Sequence, residues 1–229
     1  MKRLLAVSIL FLLTIFVIKS GIASAAKEPP HFAPPNVLKA GPIPYPASSL
    51  DAGVVTLSIN LDNAGQIARV NILRDLSSVS GLAISAVHSW TFSPATLDGK
   101  PVPSNLVANI VYDPGFLGAD NIPLPPPAQV QPITKNGPAY LPAQLTNASF
   151  APYPQKTKAQ DSVVFNVSLD ANGNVAKVAT LRDVPPLTAS ALGALKKWSF
   201  SPATYDGNPI VSTMVVAIVF HSPSATIPQ

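Results

Sequence analysis

Few side chains in this sequence could do chemistry. It holds 3 histidines, 11 acidic residues, 15 basic residues and no cysteine. A metal centre needs histidines and carboxylates at ligand spacing. His31, His88 and His221 instead stand in a tail, on a helical stripe and after an apolar run. General acid-base work needs carboxylates placed together. Asp98 and Asp206 are each followed by glycine, which is turn chemistry, and no second carboxylate lies nearby. There is no G-x-S-x-G elbow and no Gly-rich phosphate loop. The sequence therefore predicts no enzyme: no catalytic residue, no metal and no cofactor. Trp90 and Trp198 remain as ligand-stacking candidates, but a ring that closes a helical stripe reads as core.

The start of the chain has the three parts of a secretory signal. Lys2 and Arg3 are followed by the apolar run Leu4 to Ile18 and by the small residues Ala23, Ser24 and Ala25. Cleavage after Ala25 is expected, with an uncleaved inner-membrane anchor as the alternative. Either way the rest of the chain faces the periplasm, and membrane contact is expected only if the signal stays. Beyond residue 25, 12 basic residues face 11 acidic ones. That balance leaves no cluster able to neutralise several phosphates, so nucleic acid is not an expected partner.

The positioning elements come in duplicate. WTFSPATLDG at residues 90 to 99 returns as WSFSPATYDG at 198 to 207, an offset of 108 residues. Residues 45 to 112, set against 153 to 220 without a gap, share 26 identities in 68 positions. A period of this length is that of a small domain rather than of a solenoid repeat.

Within each copy the hydrophobic period changes in a fixed order. Val55, Leu57, Ile59 and Leu61 alternate with polar residues, as do Val163, Phe165, Val167 and Leu169, so each run reads as a half-buried strand. Gly65 and Gly173 supply hairpin turns into a second strand. Leu82, Ala83, Ala86, Val87 and Trp90 then form one helical stripe, with Ser78 or Ser80 as its expected cap. In the second copy Pro185 and Pro186 open the helix, and Lys196 and Lys197 fall in its last turn. Pro94 and Pro202 end the helices, leaving Trp90 with Phe92, and Trp198 with Phe200, to fill the two cores. Asp-Gly turns lead to the closing runs LVANIVY and MVVAIVF. The predicted fold class is α+β: two tandem small domains, each a three-stranded antiparallel sheet packed on a helix, in the order β-β-α-β. The expected boundaries are 1–25 signal peptide, 26–40 Pro-rich segment, 41–113 first domain, 114–137 Pro-rich linker, 138–222 second domain and 223–229 tail. The proline stretches read as extended spacers.

This ordered set resembles the TonB C-terminal domain family. The matching parts are Tyr45-Pro46, Gly65, Ala83, Ala86, Trp90, Phe92, Pro94-Ala95, Asp98-Gly99 and Pro101. In the second copy they are Tyr153-Pro154, Gly173, Ala191, Ala194, Trp198, Phe200, Pro202-Ala203, Asp206-Gly207 and Pro209. The resemblance implies a periplasmic module that captures peptides of outer-membrane transporters by adding a strand beside its last strand. Here those strands carry Leu106, Val107, Asn109 and Val111, and Met214, Val215, Ala217 and Val219. The expected partners are envelope proteins, TonB-dependent transporters among them.

Two departures bear on this implication. The spacer is short and charge-poor, and Asp161 stands where the first copy has Gly53. Force transduction through a retained anchor is a separate reading. Another alternative is that of a structural or assembly protein whose edge strands pair the domains or form a homodimer, since both closing runs are apolar on both faces.

Overall fold

The computed structural model describes residues 31–46, 49, 51–118, 120–126, 128–130 and 139–222. The expected signal peptide, the start of the Pro-rich segment, residues 131–137 of the linker and the 223–229 tail lie outside the described residues. The protein is mixed α+β. Among the described residues no helix is long and apolar enough to cross a membrane.

In chain order the first half contains β1 (Phe32–Ala33), β2 (Asn36–Lys39), β3 (Gly53–Leu61), β4 (Ile67–Arg74), α1 (Ser80–Val87), β5 (Thr91–Ser93), β6 (Ala95–Leu97), β7 (Lys100–Val102) and β8 (Ser104–Asp113). The second half repeats the series as β9 (Tyr140–Leu141), β10 (Gln144–Asn147), β11 (Asp161–Leu169), β12 (Val175–Arg182), α2 (Leu187–Leu195), β13 (Ser199–Ser201), β14 (Ala203–Tyr205), β15 (Asn208–Ile210) and β16 (Ser212–Phe220). The short strands β1, β2, β5, β6 and β7, and their counterparts, add to the expected order.

One six-stranded sheet runs through the molecule in the order β12-β11-β16-β8-β3-β4. Every neighbouring pair is antiparallel except β8 and β16, which are parallel at its centre. Alternation along the strands sorts the side chains into two cores on opposite faces. Leu106, Ala108, Ile110 and Tyr112 join Leu57, Ile59 and the α1 residues Ala83, Ala86 and Val87 on one face. Met214, Val216, Ile218 and Phe220 join Phe165, Val167 and the α2 residues Leu187, Ala191 and Leu195 on the other. The halves are thus related by a half-turn about a line parallel to the strands, with one helix on each face.

Trp90 closes the α1 stripe but lies beyond the helix, its N–H donating to the Val87 carbonyl. The expected serine cap is absent: the Ser80 hydroxyl serves the Leu76 backbone, and Ser78 donates to Asp51. Lys196 is the C-cap of α2, so both lysines fall after its last turn. The β3–β4 hairpin turns at Asp62, whose carboxylate accepts from the N–H groups of Ala64 and Gln66. Gly65 has φ of +77° and lies so close to the chain after Trp90 that a Cβ there would stand 2.7 Å from the Phe92 carbonyl oxygen. The hairpin turn and the W-x-F-x-P corner are therefore packed as one unit.

The N-terminal Pro-rich segment is no free spacer where it is described. Val37 and Ile43 are buried, β2 pairs with β5, and β1 pairs with β6. The segment also crosses to the other half: Asn166 donates to Asn36, Ser162 accepts from the Ile43 N–H, and Thr213 donates to the Pro35 carbonyl. It packs on the face of β11 and β16 turned away from α2, where Val37 and Ile43 share a core with Val164, Val215, Ala217 and Val219.

Candidate functional site

The residues expected to bind a peptide meet in one place. In the parallel ladder Val215 lies opposite Ala108, Val216 opposite Asn109, Ala217 opposite Ile110, Ile218 opposite Val111 and Val219 opposite Tyr112. Leu106, Val107, Asn109, Val111, Met214, Val215, Ala217 and Val219 are all buried. On the far sides β3 pairs along β8 and β11 pairs along β16. Neither strand is an edge of this sheet, which differs from the reading of both as open templates. The physical reason is the two-faced apolar pattern: a strand buried on both faces is at home in a sheet interior.

The register follows from the two cores. Partners in a ladder point to the same face, whereas equivalent residues of the two halves point to opposite faces. A pairing of equivalents, 108 residues apart, is therefore excluded, and the ladder pairs residues 107 apart.

One polar line crosses the buried face. Arg74, 5% exposed, donates from Nη1 to Thr56 Oγ1, and Thr56 donates to Asn109 Oδ1 at 3.0 Å. Arg74 also donates from Nε to the Pro125 carbonyl at 2.8 Å and from Nη2 to the Leu145 carbonyl at 2.9 Å. This guanidinium ties the first half, the linker and the second half together. Burial lowers its pKa. The sequence shows Arg74-Asp75 repeated as Arg182-Asp183, but only as the end of a strand, and nothing in the spacing marks Arg74 as a junction.

A second polar group closes the seam where β8 and β16 end. Asp113 and His221 occupy equivalent positions, and both are fully buried. The His221 N–H donates to the Asp113 carbonyl at 2.9 Å, while the Asp113 carboxylate accepts from the N–H groups of Gly115 and Ala151. Burial pushes the Asp113 carboxyl up to about 6. The Tyr45 ring stands edge-on to Tyr112 at 5.3 Å and to His221 at 5.1 Å. Desolvation, helped by the Asp113 charge, raises the Tyr45 phenol. The 108-residue equivalence of Asp113 and His221 was the available signal, though it lies one step past the repeat's aligned end.

The motif residues sit in the cores. Trp90 and Phe92 belong to the first, Trp198 and Phe200 to the second, and the Trp198 indole N–H donates to the Ser149 carbonyl. Pro94 and Pro202 lie against the hairpin glycines Gly65 and Gly173. His31 and His88 are exposed and separate, and among the described residues no group of three His, Cys, Asp or Glu side chains could hold a metal. The outer edges of the sheet are β4 and β12.

A hairpin, a helix, a W-x-F-x-P corner and a closing strand thus occur twice around one seam. The model for the Gram-negative bacterial TonB protein C-terminal matches residues 44–114 and again 147–222. The chain belongs to the TonB C-terminal family. A similar protein is Protein TonB of Vibrio cholerae serotype O1, 34% identical over 92 residues, which are 39% of this chain and 37% of that protein. The chain thus spans well under half the length of this TonB relative. No solved structure matches it. Both family segments end beyond the closing strand, so β8 and β16 are the family's last strand in each copy.

Proposed function

We propose that this chain is a periplasmic, TonB-related protein-binding module of energy-coupled transport. Its partners in this reading are envelope proteins, outer-membrane transporters among them, recognised through extended segments rather than through catalysis. The observation that carries the reading is the β8–β16 ladder: the two family units use their last strands to make one body, whose outer strands are β4 and β12. The strands named for peptide capture serve domain pairing in this reading, and strand addition at them would require the seam to part.

Amide hydrogen exchange tests it. Residues 106–112 and 214–220 are expected to exchange at the slow, global rate, and an added transporter N-terminal peptide is expected to leave them unchanged. Fast exchange there, slowed by the peptide, would sink the paired-body reading and restore peptide capture at the last strands. A pull-down from envelope extract with the mature chain tests the binding role itself, and a catch with no envelope protein would count against it.

A further inference from the structure

The half-turn between the copies lets each outer edge be read against the other. On the first half the edge of β4 is occupied. Ala128 donates its N–H to the Leu73 carbonyl at 2.9 Å, and the Pro125 carbonyl accepts from Arg74 Nε at 2.8 Å. The linker therefore meets this edge at Pro125 and Ala128, held by one guanidinium bond and one backbone bond. Ala128, Gln129 and Val130 close a groove with Asn60, Arg69 and Ile72.

On the second half the equivalent residues are Leu181 and Arg182. Among the described residues no segment pairs with the outer edge of β12. Arg182 gives Nη2 to Asp161, but among the described residues its Nε is buried without a hydrogen-bond partner. The donor that Pro125 satisfies in one copy is thus unpaired in the other. A buried donor left without its acceptor is costly, so a missing carbonyl is the simplest complement. Further along the strand a groove runs between β12 and α2. Its apolar lining includes Val175, Val178, Leu192 and Leu195, its charged lining is Lys177 and Lys196, and among the described residues no acidic side chain lines it.

We propose that the β12 edge is a docking site for an extended, proline-containing, acidic segment of a partner protein, bound as the linker is bound on β4. The segment offers a carbonyl to Arg182 Nε and an N–H to the Leu181 carbonyl, and its carboxylates meet Lys177 and Lys196. Proline suits such a segment because it holds the chain extended before binding, so less freedom is lost on docking. This rests on the reading of the chain as a binding module and places the contact on an edge other than the last strands.

The test is a titration of the isotope-labelled intact chain, followed by amide NMR. One probe is a peptide of linker sequence, residues 121–130, and a second is the same peptide with two added glutamates. Saturable shifts confined to residues 175–182 and the facing side of α2 are expected, with the acidic peptide binding about tenfold more tightly at low salt. Arg182→Lys, which keeps a cation for Asp161 but loses the Nε donor, is expected to weaken binding about tenfold, as is Lys177→Glu on the exposed strand. Shifts centred on β4 or on residues 31–46, or none with millimolar peptide, would overturn the proposal. Concentration-dependent shifts of 175–182 without peptide would assign the edge to a second copy and also overturn it. The exchange rates of 106–112 and 214–220, read on the same sample, report the paired body separately.

Discussion

Phe32 and Tyr140 hold the same place in the two halves, 108 residues apart, and their rings lie against each other with centroids 4.8 Å apart. Tyr205 adds a third ring, stacked on Phe32 at 4.9 Å. Each half also anchors its own approach strand in the same way: Asp98 accepts from the His31 N–H, and Asp206 accepts from the Ala139 N–H, both at 2.8 Å. The aromatic contact is therefore a further junction between the halves, made by side chains instead of by a strand ladder. Phe32→Ala and Tyr140→Ala are expected to cost about 2 kcal/mol each, with a coupling of about 1 kcal/mol in a double-mutant cycle. Urea unfolding measures it, and simple additivity would show that the rings act independently.

The buried carboxyl of Asp113 makes stability depend on pH. Its pKa is raised from 3.8 to about 6, so the folded state holds the proton more tightly than the unfolded state. The stability contributed by protonated Asp113 is full below about pH 4 and is lost as pH rises through about 6, an effect on the order of 3 kcal/mol. Asp51 and Asp170, lowered by hydrogen bonds, act in the opposite sense and at lower pH. Asp113→Asn is expected to flatten the profile between pH 4 and 6. Denaturant midpoints across that range decide it, and an unchanged slope would mean another group carries the proton.

Glycines in this fold divide by surroundings. Gly65→Ala and Gly173→Ala force a side chain into positive φ and against the Phe92 and Phe200 carbonyls, and each is expected to cost about 2 kcal/mol or more. Gly81 and Gly193 sit in the helices, where an added methyl group would meet nothing within 4 Å. There the change to alanine is expected to stabilise by about 1 kcal/mol. Thermal melts of the four variants should split into two pairs of opposite sign.

The two arginines at the strand ends differ in worth. Arg74→Ala removes three hydrogen bonds made by a buried cation and leaves the linker held on β4 by the Ala128–Leu73 backbone bond, with an expected loss of about 3 kcal/mol. Arg182→Ala removes a partly exposed ion pair and is expected to cost about 1 kcal/mol or less. Equal losses would contradict the asymmetry of the two edges.

Much of this architecture was legible in the residues. The alternation in VVTLSINL, the Gly65 turn, the stripe ending at Trp90 and the Asp-Gly turn all mark elements that the structure contains. The two-faced apolar character of VANIVY and VVAIVF pointed to cover on both sides, though not to the fact that each strand would lend one face to the other copy's core. Position 31 onward escaped the aligned repeat because identity fades there, while the hydrogen bonds of His31 and Ala139 keep the equivalence. Prolines misled for a physical reason: they favour extended chain, and extended chain can pack on a sheet as readily as it can span solvent. Arg74 was invisible because the partners that make it a junction, Pro125 and Leu145, are met through their carbonyls, which no residue type announces.

The parallel run of β8 beside β16 has a mechanical meaning. A tension entering one half and leaving the other along the strand direction falls on their ladder in shear, so its bonds must yield together instead of unzipping one at a time. Any slip would also drag Val111 out of the core around α2 and Val215 out of the core around α1. Two units joined this way form a coupling that is stiff along the strands and softer across them.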